Sequence, residues 1–106
     1  MAKPVILTVD DDPEVLGAIE RDLRAHFRGD YRIVRAGSGA EALNAARQLA
    51  QRGAAVALFV VDQRMPEMTG TEFLAEVRKL HPDARKVLLT AYADTEAAIA
   101  CINQVG

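Results

Sequence analysis

At 106 residues, 50% of them hydrophobic and 26% charged, the chain has the size and composition of one small globular domain, which excludes the disordered and fibrous classes. Its 13 basic and 15 acidic residues leave a net charge of −2 and form no basic stripe, which excludes a direct nucleic-acid footprint. A single cysteine, Cys101, excludes an intrachain disulfide or thiolate metal cluster; the apolar run ahead of Asp10 is too short for a signal peptide or membrane span, so the chain reads as cytoplasmic.

Residues 4–9 are β-branched or apolar almost throughout and stop at Asp10, Asp11, Asp12 and Pro13. A run without alternation predicts a strand covered on both faces, as in a parallel sheet. Pro13 suits the first turn of a helix, with Asp12 as its cap. Val15, Leu16, Ile19, Leu23 and Phe27 then recur at helical spacing, and Arg21, Asp22, Arg24 and Arg28 fill the other side. Residues 31–36 mix arginines with apolar side chains, which predicts an exposed edge strand. Gly37 turns the chain. Ser38 with Glu41 three residues on has the pattern of a capping box, opening a helix through Leu43, Ala46 and Leu49 to Gly53.

Residues 56–61 form a second fully apolar strand that ends on Asp62. A loop over 63–70 precedes a helix carrying Phe73, Leu74, Val77 and Leu80, closed by His81 and Pro82 because a residue before proline avoids helix. Residues 86–90 form a fourth strand ending on Thr90. Ala91, Tyr92 and Ala93 lead to Asp94, the expected cap of a last helix with Ile99, Ile102 and Val105, in which Cys101 is a small core residue. Strands alternating with helices, without repeat or linker, predict one doubly wound α/β domain with a parallel sheet and helices on both faces.

The chemistry lies in what ends the strands. Ligands of an open parallel sheet bind beyond the carboxyl ends of the strands, where the strand order reverses. If the first and third strands are neighbours, Asp10, Asp11 and Asp62 converge there. Three carboxylates that close repel one another unless a cation joins them. An all-oxygen set favours Mg²⁺, or Mn²⁺, over a soft metal, and no histidine ends a strand, which argues against zinc. An aspartate beside such a cation can act as a nucleophile toward phosphorus and form an aspartyl phosphate. The Thr90 hydroxyl at the next strand end could donate to the phosphoryl oxygens. His26 and His81 have no acid or nucleophile set beside them by the sequence and are assigned no chemistry.

Three stretches, Val9 with Asp10 to Pro13, the nine residues from Asp62 to Gly70, and Leu88 with Leu89, Thr90 and Ala91, closely resemble the receiver domains of bacterial response regulators in two-component signalling. The similarity covers essentially the whole chain. It implies a CheY-like, flavodoxin-like sheet in strand order 2-1-3-4 and a phosphorelay switch, not an enzyme, that assists only its own phosphorylation and dephosphorylation. By this resemblance Asp62 matches the phosphoacceptor. Asp11 and Asp62 would bind Mg²⁺ directly, Asp10 mostly through water, and the Arg64 carbonyl would complete the protein ligands. Thr90 matches the switch hydroxyl, the Ala91 amide would help hold the phosphoryl group, and Arg64 and Tyr92 stand where the family tunes phosphoryl lifetime. The implied partner is a histidine kinase or histidine phosphotransfer domain docking beside the first helix. In fine detail the motifs are most similar to receivers fused to larger bacterial proteins, thioredoxin-reductase-like modules among them.

One departure stands out. Receivers carry a lysine at the end of a fifth strand, followed by a fifth helix. Here the sequence runs to Gly106, at the end of the fourth helix, and Lys3, Lys79 and Lys86 are misplaced for that role, Lys86 because it opens the fourth strand at the far pole. The expectation is a receiver over residues 1–106, truncated after the fourth helix, whose uncovered apolar edge at Val87, Leu88 and Leu89 invites self-association. Two other functions are weighed against the switch. A phosphorylation-independent interaction module would keep its partner binding in an Asp62→Asn variant. A phosphohydrolase of the haloacid-dehalogenase type would need Asp-x-Asp followed by Thr or Val, where this chain has Asp10, Asp11, Asp12, Pro13 and Glu14.

Overall fold

Seven of the expected elements lie within residues 3–89, which a computed structural model describes; the helix expected after Asp94, with Cys101, lies outside the described residues. β1 (Val5–Val9) is buried at every position because helices pack on both faces of the sheet beside it. Asp12 caps α1 (Pro13–Phe27), accepting the Glu14 N–H at 2.9 Å, and Pro13 occupies the first turn, where an N–H would have no partner anyway. The helix turns Leu16, Ile19, Leu23 and Phe27 inward and leaves Val15 half-buried at the edge of the stripe.

β2 (Arg32–Ala36) is an outer strand, as its arginines predict, and Arg32 and Arg35 stay exposed. Glu20 ties α1 to it, accepting from Arg24 at 2.7 Å and from Arg35 at 3.1 Å. Both cations are largely solvated, so each pair contributes less than about 1 kcal/mol.

α2 (Gly39–Gln51) begins after Ser38, whose hydroxyl accepts the Glu41 N–H at 3.1 Å. The reciprocal arm of the expected capping box goes elsewhere. The Glu41 carboxylate accepts the N–H of Gly37 at 3.0 Å, one residue upstream of the cap, and so closes the turn that leads into the helix. The complete box occurs at α3 (Gly70–Leu80), where Thr69 and Glu72 exchange two side-chain-to-backbone bonds of 3.1 Å. α3 ends at His81, which leaves the helical region ahead of Pro82. The buried His81 ring leans on Phe59 and donates from Nε2 to the Ala46 carbonyl at 2.8 Å, joining the end of α3 to α2.

β3 (Val56–Asp62) and β4 (Arg85–Leu89) complete a parallel sheet in the order β2-β1-β3-β4. This is the flavodoxin-like order expected from the resemblance. On one face Val5, Leu7, Val9, Phe59 and Val61 pack with Leu43, Phe73 and Val77 of α2 and α3. On the other, Ile6, Leu58 and Val60 pack with Ile19, Leu23 and Phe27 of α1. The chain leaves β1 for β2 on one side and returns to β3 on the other, so the strand order reverses between β1 and β3. No helix among the described residues is long and apolar enough to cross a membrane.

Candidate functional site at the ends of β1 and β3

Register brings the acids together. Val9 is level with Val61 in the parallel pair of β1 and β3, so Asp10 follows β1 where Asp62 ends β3. One carboxylate oxygen from each of Asp10, Asp11 and Asp62 lies within 4.8 Å of the other two. Asp10 is buried, Asp62 half-buried and Asp11 exposed, so the cluster opens to solvent on one side. Asp10 Oδ1 accepts the Asp12 N–H at 2.9 Å, which fixes the turn between β1 and α1. The donors are oxygen only, crowded and negative, and that set fits a hard divalent cation such as Mg²⁺.

The loop between β3 and α3 is pinned at several points. Met65 is buried in the core, which anchors the loop beside the acids. Met68 packs on Gly39 of α2 so closely that a Cβ there would meet the Met68 Cβ at 2.9 Å. Between them, Glu67 has φ 69°, and the Met68 N–H donates to the Pro66 carbonyl at 2.7 Å. This is a γ-turn of the rare, strained form with positive φ at its centre. Since a side chain in this region costs about 1–2 kcal/mol, Glu67→Gly is expected to raise stability by up to about 1 kcal/mol after the greater unfolded-state entropy of glycine is counted. Urea unfolding of the variant beside the wild type reads this directly, and an unchanged or lower midpoint would show that the turn is unstrained.

Burial, with charge crowding added to it, raises the carboxyls of Asp10 and Asp62. The Asp10 carboxyl is pushed from 3.8 up to about 6, chiefly by burial; the charges of Asp62 and Asp11 add to the rise and the Asp12 N–H opposes it. Asp62 is raised too, chiefly by burial, with Asp11 adding and the backbone N–H groups of Arg64 and Gln63 opposing. A carboxyl whose folded pKa lies above its unfolded value holds its proton more tightly when folded. Its stabilising contribution is therefore present at low pH and is lost as pH rises from about 4 to about 6. In Mg²⁺-free buffer this contribution from Asp10 should decline by up to about 3 kcal/mol across that window. Urea unfolding at pH 4.5 and 7 is expected to show less of a decline in Asp10→Asn, and equal declines in the two proteins would contradict the assignment.

Residues 6–106 match the family model of the response regulator receiver domain. The chain belongs to the response regulator receiver family. The hydrogenase transcriptional regulatory protein HoxA of Cupriavidus necator is 37% identical to this receiver over 101 residues, which are 95% of the chain and 19% of HoxA. The sensor kinase CckA of Brucella abortus is 37% identical over 90 residues, 85% of this receiver and 9% of the kinase. The chain thus spans a fifth or less of the length of these curated relatives, which are larger bacterial regulators. Among solved structures, the receiver domain of the hybrid histidine kinase CckA superposes with a TM-score of 0.77 at 27% identity, covering 94% of this chain and 96% of that one. Chemotaxis protein CheY4 of Vibrio cholerae gives 0.71 at 28% identity, covering 99% of this chain and 82% of CheY4. Receivers of this family are switch domains that generally bind Mg²⁺ in an acidic pocket, and the acid cluster of this receiver has that character.

Of the residues singled out from sequence, Asp10, Asp11 and Asp62 are brought together, and Arg64 stands exposed in the loop two residues after Asp62. Leu89, level with Asp62, is the last described residue; Thr90, Ala91 and Tyr92 lie outside the described residues. Lys86 is level with Phe59, three positions before Asp62, and donates to the Ala84 carbonyl at 2.7 Å, so it stays at the pole expected for it. Within the motif from Asp62 to Gly70, the sequence assigned no role to Gln63, Glu67 or Gly70, all of which shape the loop beside Asp62. The Thr69 and Glu72 box was readable from the same three-residue spacing that flagged Ser38 and Glu41.

Proposed function

We propose that this receiver accepts a phosphoryl group on Asp62 in a Mg²⁺-dependent reaction and passes the change to a partner. The observation that carries the reading is the convergence of Asp10, Asp11 and Asp62 where the strand order reverses. An Asp62 carboxylate oxygen attacks phosphorus, the bond between phosphorus and the donor atom breaks, and the donor leaves with the electron pair. Asp11, Asp62 and the Arg64 carbonyl would hold the cation, and Asp10 would act on it through water. A bound Mg²⁺ would offset repulsion between the carboxylates and the incoming phosphoryl oxygens. Thr90 and the Ala91 amide receive those oxygens, while Arg64 and Tyr92 set how long the phosphoryl group lasts. The donor is a histidine kinase or histidine phosphotransfer domain docked beside α1, and the phosphorylated form biases what the receiver binds within a larger regulator.

Intact mass after incubation with acetyl phosphate tests this. The chain is expected to gain one phosphoryl group with Mg²⁺ present and none after chelation, acetate being the leaving group. Fragmentation should place the adduct on Asp62. A wild-type chain that never gains mass would favour the phosphorylation-independent interaction module.

A further inference from the structure

Three donors in the first turn of α3, two backbone N–H groups and one hydroxyl, are satisfied by one residue, and that residue adjoins the acceptor. The Gly70 N–H donates to the Gln63 backbone carbonyl at 3.2 Å. The Thr71 N–H and hydroxyl both donate to Gln63 Oε1, at 3.0 Å and 2.9 Å. Thr69 takes the next two N–H groups: its hydroxyl accepts from Glu72 and its carbonyl from Phe73. The N-terminal donors of α3 are thus fully partnered, and half of them converge on the position that follows Asp62.

We infer that Gln63 is a positioning residue for phosphoryl transfer, clipping the N-terminus of α3 to the end of β3 so that the Asp62 carboxylate and the Arg64 carbonyl are held ready. The inference rests on the phosphoacceptor reading above. Gln63 sits between those two groups in the chain, so its backbone cannot shift without moving both. A glutamine held by its side chain gives up rotamer freedom, which the two bonds to Oε1 offset. The bonds close the loop over an eight-residue separation, which makes Gln63 the anchor of the loop it opens. Mere capping is a different role, since a cap lost here would lower stability and leave transfer alone.

The test measures the rate of phosphoryl gain from acetyl phosphate against Mg²⁺ concentration for the wild type, Gln63→Leu, Gln63→Glu and Thr71→Val, with urea midpoints in parallel. Gln63→Leu keeps the bulk and loses the acceptor, and its maximal rate at saturating Mg²⁺ is expected to fall about tenfold as the reacting groups lose their alignment. Gln63→Glu retains an acceptor oxygen and should recover most of that rate. Thr71→Val removes one of the two donors to Oε1 at a distance from the acids and should slow transfer less, in the same direction; it also decides the matter if Gln63→Leu does not fold. A wild-type maximal rate in both Gln63→Leu and Thr71→Val, with only a lower urea midpoint, would make Gln63 a helix cap and overturn the inference while leaving the phosphoacceptor reading intact. A wild-type chain that takes no phosphoryl group defeats that reading itself, and the positioning role with it.

Discussion

Asp62→Asn should lose phosphoryl uptake entirely and yet, in Mg²⁺-free buffer at pH 7.5, be more stable than the wild type by about 1 kcal/mol. The loss follows because a neutral amide offers no carboxylate oxygen to form the acyl phosphate. The gain follows from the same geometry. Asp10, Asp11 and Asp62 place ligand oxygens within 4.8 Å of one another, and the Asp62 charge is one of the causes that raise Asp10. Two charges at such a distance repel by a few kcal/mol at an effective dielectric near 20, and the open side of the cluster reduces that to about 1 kcal/mol. Asparagine keeps the shape of the side chain and an oxygen for the N–H groups of Arg64 and Gln63 that face it. Mass spectrometry and urea unfolding on one preparation read both effects. Their opposite directions matter, because a folding defect would lower both together. Uptake that survives in Asp62→Asn would move the acceptor to another residue, and a less stable variant would mean that the three acids do not strain the fold.

Gly70→Ala is the second large effect, and it runs against helix propensity. Alanine in place of a helical glycine ordinarily stabilises by roughly 0.5–1 kcal/mol. At Gly70 a Cβ would stand 2.6 Å from the Asp62 carbonyl oxygen and 2.5 Å from Leu88 Cδ1. The leucine methyl can rotate away; the backbone carbonyl at the end of β3 cannot. Either α3 lifts or the end of β3 moves, and overpacking of this kind costs about 1–3 kcal/mol. Gly17→Ala in α1 is the control, since a Cβ there meets nothing within 4 Å. The expected outcome is a lower urea midpoint for Gly70→Ala, a higher one for Gly17→Ala, and weaker Mg²⁺ binding in Gly70→Ala alone. Two stabilised variants would show that the approach of α3 to Asp62 is looser than these distances.

The two glycines also show where sequence reading stops. Gly17 lies within the first helical pattern and Gly70 where the motif loop meets the third helix, yet nothing along the chain says what a Cβ at either position would meet. The difference is made by the end of β3, whose Asp62 carbonyl closes on Gly70 while nothing comes within 4 Å of a Cβ at Gly17. The capping patterns behave alike: Ser38 with Glu41 and Thr69 with Glu72 share one spacing, yet only the second closes both bonds, because Glu41 turns back to Gly37. Beyond closing α3 ahead of Pro82, the role of His81 was not evident in the linear order, since the Ala46 carbonyl that it bonds lies 35 residues away.

The amino-acid order by itself determined the elements within residues 3–89, the two covered strands and the exposed one, and the acids at the strand ends. Those features are local: apolar runs, helical spacing and strand-stopping aspartates are written in neighbouring residues. It also carried the family, because the motifs at successive strand ends occur in order along the chain. Only the tertiary structure decided that Asp10, Asp11 and Asp62 meet, since that depends on β1 and β3 being neighbours in register. Likewise, only the return of α3 across the sheet brings Gly70 against the Asp62 carbonyl and Thr71 onto Gln63. Contacts between residues far apart in sequence are set by how whole elements pack, and no local pattern encodes that packing.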